Sequence, residues 1–148
     1  MHKGETVSHQ VRSTVRGPVI SDVGSVGSGD VVLSLRAASL ERRDGIASAV
    51  MRLGRATSVE TALRALRNAG APQQNFFLAD RDGSTAMRSP GRVPMRRTGD
   101  GRHPLPAVLA GDNWAGYVPL EESPLRRGTP GGWIGNANNR VFDQSPPH

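Results

Sequence analysis

Residues 75–88 read Asn-Phe-Phe-Leu-Ala-Asp-Arg-Asp-Gly-Ser-Thr-Ala-Met-Arg, and this pattern predicts a β-hairpin. An apolar strand over Phe76–Ala79 would be followed by a returning antiparallel strand over residues 85–87. The connection between them suits a tight turn, because Gly83 can adopt a positive φ without steric cost. From residue 75 to the C-terminus the pattern is typical of strands and loops, with the tail after residue 143 polar.

Two helices are predicted before the hairpin. Within residues 44–54, Ile46, Val50 and Leu53 recur at helical spacing and form one apolar stripe. Ser58 is the expected N-cap of a second helix, which ends near Gly70. The buried face of that helix is predicted to consist of Val59, Ala62, Leu63 and Leu66.

Further strands are predicted on both sides of these elements. Before the helices they cover residues 6–12, 19–20 and 31–37, the last of which is apolar enough to be buried on both faces. After the hairpin they cover residues 112–118 and 132–136. The stretch between the hairpin and residue 112 is rich in proline and is predicted to be irregular.

An asparagine cluster follows the last predicted strand, in residues 132–141, Gly-Trp-Ile-Gly-Asn-Ala-Asn-Asn-Arg-Val. Asparagine is unfavourable inside strands because its side chain competes for backbone hydrogen bonds. A positioned carboxamide N–H is well suited to stabilise a developing oxyanion, since it adds no charge. The alternative interpretation is an Asn-rich turn after a strand.

The order of these motifs resembles the penicillin acylase (penicillin amidase) family of N-terminal-nucleophile hydrolases. The resemblance extends from residue 11 to residue 141 and rests on five segments in the same order as in the family. Two lie before the helices, Arg-Gly-Pro-Val-Ile-Ser-Asp at 16–22 and Leu-Ser-Leu-Arg at 33–36. The other three are residues 75–96, Trp-Ala-Gly-Tyr-Val-Pro at 114–119 and Ala-Asn-Asn-Arg-Val at 137–141. It implies an α+β fold that forms part of an αββα sandwich, with mostly antiparallel strands and one helix pair. Residues 1–148 would then be an internal fragment of the β chain, with strands in 1–38, the helix pair in 39–71 and a strand and loop region containing the Asn cluster in 72–148.

The resemblance also implies a function, the hydrolysis of linear amide C–N bonds through an acyl-enzyme. In the family an N-terminal Ser attacks the carbonyl, its own α-amine is the general base, and an Asn side chain holds the oxyanion. Asn138 corresponds to that Asn, with Asn139 and Arg140 as supporting residues. No residue of the sequence corresponds to the nucleophile.

Partners and cofactors follow from the same resemblance. The partners would be the α chain and the remaining β chain of the acylase, and the substrate a small-molecule amide. Some relatives bind calcium, but no ligands can be assigned here. Asp80-Arg81-Asp82-Gly83 resembles the start of a calcium loop without the matching Glu, and the His residues at 2, 9, 103 and 148 lack metal-ligand spacing. No other cofactor is predicted.

Two other interpretations remain open. Relatives have His, an aromatic residue and Trp where Arg16, Ala37 and Val59 stand, so the chain could be a non-catalytic relic or interaction module of the same fold. A basic nucleic-acid-binding domain ranks third, because the net charge is +6 but the Arg residues are scattered and only 4% of residues are aromatic. No apolar run approaches the ~20 residues of a membrane helix, so no membrane association is predicted. Family members are often periplasmic or extracellular, but no signal peptide in this sequence indicates the compartment.

Overall fold

The computed structural model describes residues 4, 6–23, 30–41, 44–109, 113–139 and 141. These residues form two α-helices and seven short strands, and every strand pair among them is antiparallel. The mixed α+β class predicted from the sequence is confirmed. Within the described part of the chain, no helix is long and apolar enough to cross a membrane.

The predicted helix pair is present and lies in the middle of the chain. Helix α1 covers Ile46–Leu53 and helix α2 covers Val59–Ala65, continued by a 3-10 turn over Leu66–Asn68. The predicted N-cap is confirmed, because Ser58 Oγ accepts the Thr61 backbone N–H at 3.2 Å while Thr61 Oγ1 accepts the Ser58 backbone N–H at 2.9 Å. This reciprocal capping satisfies two of the backbone donors that a helix start leaves unpaired.

The core lies between the helices and the hairpin. Helix α2 contacts α1 as well as both hairpin strands. Val59, Ala62 and Leu66 are buried as predicted, and Leu63 is partly buried. The predicted stripe of α1 was wrong at Val50, which is 51% exposed, whereas Ala49 is fully buried. A single methyl group at Ala49 allows close approach of α1 to its neighbours, so that face of the helix is the covered one.

The predicted hairpin is confirmed and extended by a third strand. Strands β3 (Phe76–Ala79) and β4 (Thr85–Arg88) pair with Phe76 opposite Arg88, and Gly83 in the turn has φ +82°. Strand β7 (Leu125–Arg127) pairs with the other edge of β4. The sequence did not indicate β7 because its three residues are all exposed and two are arginines, so no apolar alternation marks it.

A separate two-stranded sheet joins one strand from the stretch predicted as irregular to one strand that was predicted. Strand β5 (Pro94–Arg96) pairs with strand β6 (Trp114–Tyr117), with a register shift between Met95 and Arg96. Strand β6 falls within the predicted strand 112–118, of which residue 112 is outside the described residues. The prediction of an irregular stretch was wrong at β5, because a proline is compatible with the first position of a strand.

Two N-terminal predictions were wrong. Residues 6–12 form no strand, and the first pairing is instead between β1 (Ser13–Thr14) and β2 (Gly17–Pro18). Residues 31–37 form only one bridge, between Ser34 and Val19, and Val31 and Val32 are more than half exposed. A strand buried on both faces needs covering layers on each side, and among the described residues only Leu33, Ser34 and Ala37 of this segment are even partly buried.

The predicted strand over residues 132–136 was also wrong. The Gly132 N–H donates to the Thr129 carbonyl at 2.9 Å, which makes a turn, and no strand pairing follows. Trp133 is 90% exposed. The apolar residues of this segment therefore mark a surface segment that leads into the Asn cluster.

Candidate functional site

A groove lies beside Asn75, which immediately precedes β3, and Ser89, which immediately follows β4. Because β3 and β4 are antiparallel and Phe76 lies opposite Arg88, Asn75 and Ser89 come side by side at this end of the hairpin. The Asn cluster packs next to them. The groove has a volume of about 730 Å³ and is lined by Gln73, Gln74, Asn75, Ser89, Asn138, Asn139 and Val141.

A short series of hydrogen bonds joins the hairpin to the Asn cluster. Ser89 is 1% exposed, and its backbone N–H donates to the Pro124 carbonyl at 3.0 Å. The Ser89 hydroxyl donates to Asn75 Oδ1, and Asn75 Nδ2 donates to Asn136 Oδ1 at 3.4 Å. The first residue of the cluster is therefore tied to a buried strand end.

The cluster closes on itself through its own carboxamides. Asn136 Nδ2 donates to Asn139 Oδ1 at 2.9 Å and to the Asn139 carbonyl at 3.3 Å. The Ala137 backbone N–H donates to Asn139 Oδ1 at 3.2 Å, and the Asn138 backbone N–H donates to Asn136 Oδ1 at 2.7 Å. Asn138 has φ +60°, a left-handed conformation that Asn adopts more readily than most residues.

The structure describes two of the three predicted site residues, Asn138 and Asn139, and both line the groove. Asn138 is exposed and lines the groove, and its carboxamide forms no hydrogen bond to the described residues. Asn139 also lines the groove, and its Oδ1 accepts two hydrogen bonds within the loop. Arg140 lies outside the described residues.

Sequence reasoning did not identify Asn75 and Ser89 as part of this site. Their contacts depend on pairing across the hairpin and on a loop about 60 residues later in the chain, which no local pattern reveals. The available signal was positional, since Asn75 directly precedes one predicted strand and Ser89 follows the other by two residues.

A buried arginine anchors the hairpin end that carries Ser89. Arg88 is 8% exposed, and its guanidinium donates to the carbonyls of Leu120 and Ser123, the latter at 3.3 Å. Burial lowers the pKa of Arg88 below its usual value, yet guanidinium remains charged at neutral pH. These bonds connect the end of β4 to the turn before β7.

The aspartate of the hairpin turn has a structural role. Asp80 Oδ2 accepts the Val59 backbone N–H at 3.1 Å, and Oδ1 accepts the N–H groups of Asp82 at 3.1 Å and Ser84 at 2.9 Å. The hydrogen bond from Val59, followed by those within the turn, lowers the pKa of Asp80. The carboxylate therefore connects the turn to the start of α2.

The described residues provide no set of ligands for the calcium ion that the family resemblance suggested. Among the described residues, no three Asp, Glu, His or Cys side chains lie close enough together to hold a metal ion. The carboxylate of Asp80, which begins the loop-like sequence, already accepts three backbone N–H groups. We assign no residue of this chain to calcium.

The groove has a defined chemical capacity. All of its lining side chains are uncharged, and most are carboxamides. Such groups donate hydrogen bonds to a carbonyl oxygen or an oxyanion without changing their own protonation state. The Ser89 hydroxyl is oriented towards a carboxamide oxygen, which is no general base.

Comparison with known proteins identifies the family to which this chain belongs. The family model for penicillin amidase matches residues 1–148. The chain is 32% identical over 139 residues to the acyl-homoserine lactone acylase QuiP of Pseudomonas fluorescens Pf-5, a match that covers 93% of this chain and 17% of that protein. It is 31% identical over 134 residues to the penicillin acylase 2 proenzyme of Pseudomonas sp. SE83, covering 90% of this chain and 17% of that protein.

A solved structure supports the same relation at the level of fold. The thermostable penicillin G acylase from Alcaligenes faecalis superposes with a TM-score of 0.77 and 20% sequence identity, covering 99% of this chain and 26% of that one. The chain belongs to the penicillin amidase family. The two matches cover nearly all of this chain but only about a sixth of the length of each curated relative.

Proposed function

We propose that this chain is an internal segment of the β chain of a penicillin-acylase-like amide hydrolase, and that its role is to supply one donor of the oxyanion hole. In this proposal its strands and helix pair form part of an αββα sandwich completed by the α chain and the remaining β chain. The division into strands, helix pair and Asn-containing region follows the boundaries predicted from the sequence. Family membership and the short share of each relative's length support the proposal.

One observation favours Asn138 over its neighbours as the donor. The Asn136 carboxamide is engaged at both ends, because Nδ2 donates to Asn139 and Oδ1 accepts from Asn138 and Asn75. Asn139 Oδ1 accepts two hydrogen bonds from within the loop, which orients the Asn139 carboxamide towards the loop itself. Asn138 uses its backbone N–H to close the loop, which leaves its carboxamide at the groove for a ligand.

The chemistry then divides between this segment and the rest of the enzyme. A Ser hydroxyl from the remaining enzyme attacks the amide carbonyl, a C–O bond forms, and the carbonyl electron pair moves to oxygen. Asn138 Nδ2–H and a backbone N–H stabilise that oxyanion. The nucleophile's α-amine takes the hydroxyl proton and delivers it to the leaving amine as the C–N bond breaks, and water then hydrolyses the acyl-enzyme.

Arg140 and Asn139 complete the proposal as supporting residues. Asn139 already closes the loop through Oδ1. Arg140 is proposed to hold the loop by hydrogen bonds to carbonyl or carboxylate oxygens. Replacement by Lys should weaken the site, because an ammonium cannot reproduce the planar arrangement of guanidinium donors.

The substrate class follows from the names of the relatives. One relative is named for acyl-homoserine lactones and another for penicillin, and both of these compounds are amides in which an acyl group is bound to an amine. We therefore propose a small N-acyl amide as substrate. An N-acyl-homoserine lactone is the first choice, because the corresponding relative has the higher identity.

The test is a graft in which residues 1–148 replace the matched segment of the Pseudomonas fluorescens acylase. We refer to this protein as the grafted acylase. Turnover is measured as release of homoserine lactone amine from an N-acyl substrate. Asn138→Ala should lower kcat by about 10²–10³-fold with little change in KM, because the donor acts mainly in the transition state.

Matched variants decide which Asn is the donor. Asn136→Ala and Asn139→Ala should have smaller effects, since they act through loop geometry. A grafted acylase that hydrolyses substrate equally well with Asn138→Ala would overturn the assignment. Correctly folded grafted protein without any turnover would instead favour the non-catalytic interpretation.

A further inference from the structure

We propose that Asn75 and Ser89 are positioning residues for Asn138, and that they orient the oxyanion donor from the buried end of the hairpin. This inference rests on the proposed function, but it concerns residues outside the Asn cluster. The observation that carries it is the hydrogen-bond series from the Ser89 hydroxyl through Asn75 to Asn136, and from Asn136 to the backbone of Asn138. We refer to these three bonds as the relay.

The relay starts from a fixed point. Ser89 is 1% exposed, its backbone N–H is bonded to Pro124, and the adjacent Arg88 is held by two carbonyl groups. Pro90 on its other side is also buried. A hydroxyl held in this way has little freedom, and it can define the orientation of the group that it contacts.

The Ser89 hydroxyl selects the orientation of the Asn75 carboxamide. Because that hydroxyl donates to Oδ1, the Nδ2 end of Asn75 must face the Asn cluster. There it donates to Asn136 Oδ1 at 3.4 Å. If the carboxamide were reversed, two oxygens would face each other at that contact and the Ser89 donor would lose its acceptor.

Asn136 passes the orientation on to Asn138. Its Oδ1 accepts both Asn75 Nδ2 and the backbone N–H of Asn138, the latter at 2.7 Å. That second bond holds Asn138 in the left-handed conformation with φ +60°. The backbone conformation determines where the Asn138 carboxamide can reach, so an error in the relay displaces the donor. Misplacement by about 1 Å can cost on the order of 10²-fold in rate.

The decisive experiment is a double-mutant cycle in the grafted acylase. Asn75→Ala should lower kcat by about 10-fold and leave KM nearly unchanged, since the loop is only partly displaced. In the Asn138→Ala background, the same substitution should have no further effect on kcat, because the donor that it positions is absent. Ser89→Ala should act in the same direction with a smaller effect.

Asn113→Ala is the matched control. Asn113 also uses Oδ1 to accept a backbone N–H, from Thr98 at 2.8 Å, but it does not line the groove. Its substitution should leave kcat unchanged in both backgrounds. A residue that merely supports the fold would lower activity equally with and without Asn138, so an additive effect of Asn75→Ala would overturn the inference.

A second measurement requires no turnover. In the 148-residue protein, Asn75→Ala should increase hydrogen exchange of the Asn138 backbone amide by about 10-fold, because its acceptor Asn136 loses a constraint. Asn113→Ala should not change that rate, and an unchanged rate in Asn75→Ala would contradict the relay. If Asn138→Ala itself leaves kcat unchanged, the proposed function fails. If Asn138→Ala lowers kcat but Asn75→Ala does not, only the relay fails.

Discussion

Among the described residues, the segment from residue 44 to residue 127 contains all of the buried hydrophobic residues except Val19, which lies in the segment from residue 6 to residue 41. In the first, Leu66 and Met87 are at most 2% exposed. In the second, Val15 is 99% exposed and Val7 is 83% exposed. The difference shows that α1, α2 and the hairpin cover one another, whereas most of the large apolar side chains of the N-terminal segment, Val19 excepted, are exposed or only partly covered among the described residues.

This contrast is informative because large exposed apolar surfaces usually mark interfaces. Val31, Val32 and Leu35 add to the exposed set in the N-terminal segment. The chain spans only 17% of the length of a relative that it matches over nearly its whole length. In the proposed acylase, we expect the N-terminal segment to be covered by the rest of that enzyme, and the following predictions test the comparison between the two segments.

The largest expected effect is in hydrogen exchange. In the 148-residue protein, amides of α2 and β4 should exchange about 10³–10⁴-fold more slowly than those of residues 6–15, because a stability of about 5 kcal/mol corresponds to a factor in that range. In the grafted acylase, exchange of residues 6–15 should slow strongly. Equal protection of both segments in the 148-residue protein would remove the distinction between them.

The next effect is the cost of truncating an apolar side chain in each segment. Leu66→Ala should lower the free energy of unfolding by about 2–5 kcal/mol, because Leu66 is 1% exposed and truncation leaves a cavity. Val15→Ala should change it by about 0.5 kcal/mol or less, since that side chain is solvated. Urea denaturation of the 148-residue protein measures both, and a large loss with Val15→Ala would show that the N-terminal segment contains a core of its own.

The same contrast explains how much of the fold was predictable from the sequence. The hairpin and the helix pair were predicted because Gly83 and Ser58 are local signals for a turn and an N-cap. Their apolar residues also find partners within the chain. The predictions of strands at residues 6–12 and 31–37 were wrong. Alternation or apolar content leads to a strand only where a neighbouring strand or covering layer is present.

The candidate site was predictable only in part. The Asn cluster is visible in the sequence because three Asn residues in four positions are unusual beside an apolar segment. Its connection to Asn75 and Ser89 was not visible, since it depends on hairpin register and on a contact between distant parts of the chain. The role of Asn138 as an oxyanion donor remains a prediction for the grafted acylase to test.

A smaller effect concerns the turn that attaches the hairpin to α2. Asp80 accepts the Val59 N–H, and its pKa is lowered by this and the other backbone hydrogen bonds. A lowered folded-state pKa means that the stabilisation is present above the unfolded pKa of about 3.9 and is lost as the pH falls through the folded value. Asp80→Asn should therefore lower the melting temperature at pH 7.

The difference in melting temperature from the parent should shrink as the pH falls below about 4. Asp82→Asn is the matched control, because the Asp82 carboxylate accepts no hydrogen bond in the described structure and its substitution removes the same charge from the same turn. A difference between Asp80→Asn and the parent that stays constant from pH 7 to pH 3 would contradict a role for the ionised carboxylate.

The smallest effect is expected at the exposed ion pair between Glu60, in the first turn of α2, and Arg127 in β7. The hydrogen bond from Arg127 is the main cause of the lowered pKa of Glu60, so the contribution is fully present above the ordinary pKa of Glu, about 4.3, and is lost as the pH falls through the lowered folded-state pKa. Both side chains are more than half exposed, and solvent and salt screen such pairs. Glu60→Gln should lower the melting temperature slightly at low salt and not measurably in 1 M NaCl. Glu122→Gln is the control for this comparison, because it removes the same charge from an exposed turn. A loss comparable with that of Leu66→Ala would mean that residues 44–127 depend on surface charge, and the contrast in apolar burial would no longer explain their stability.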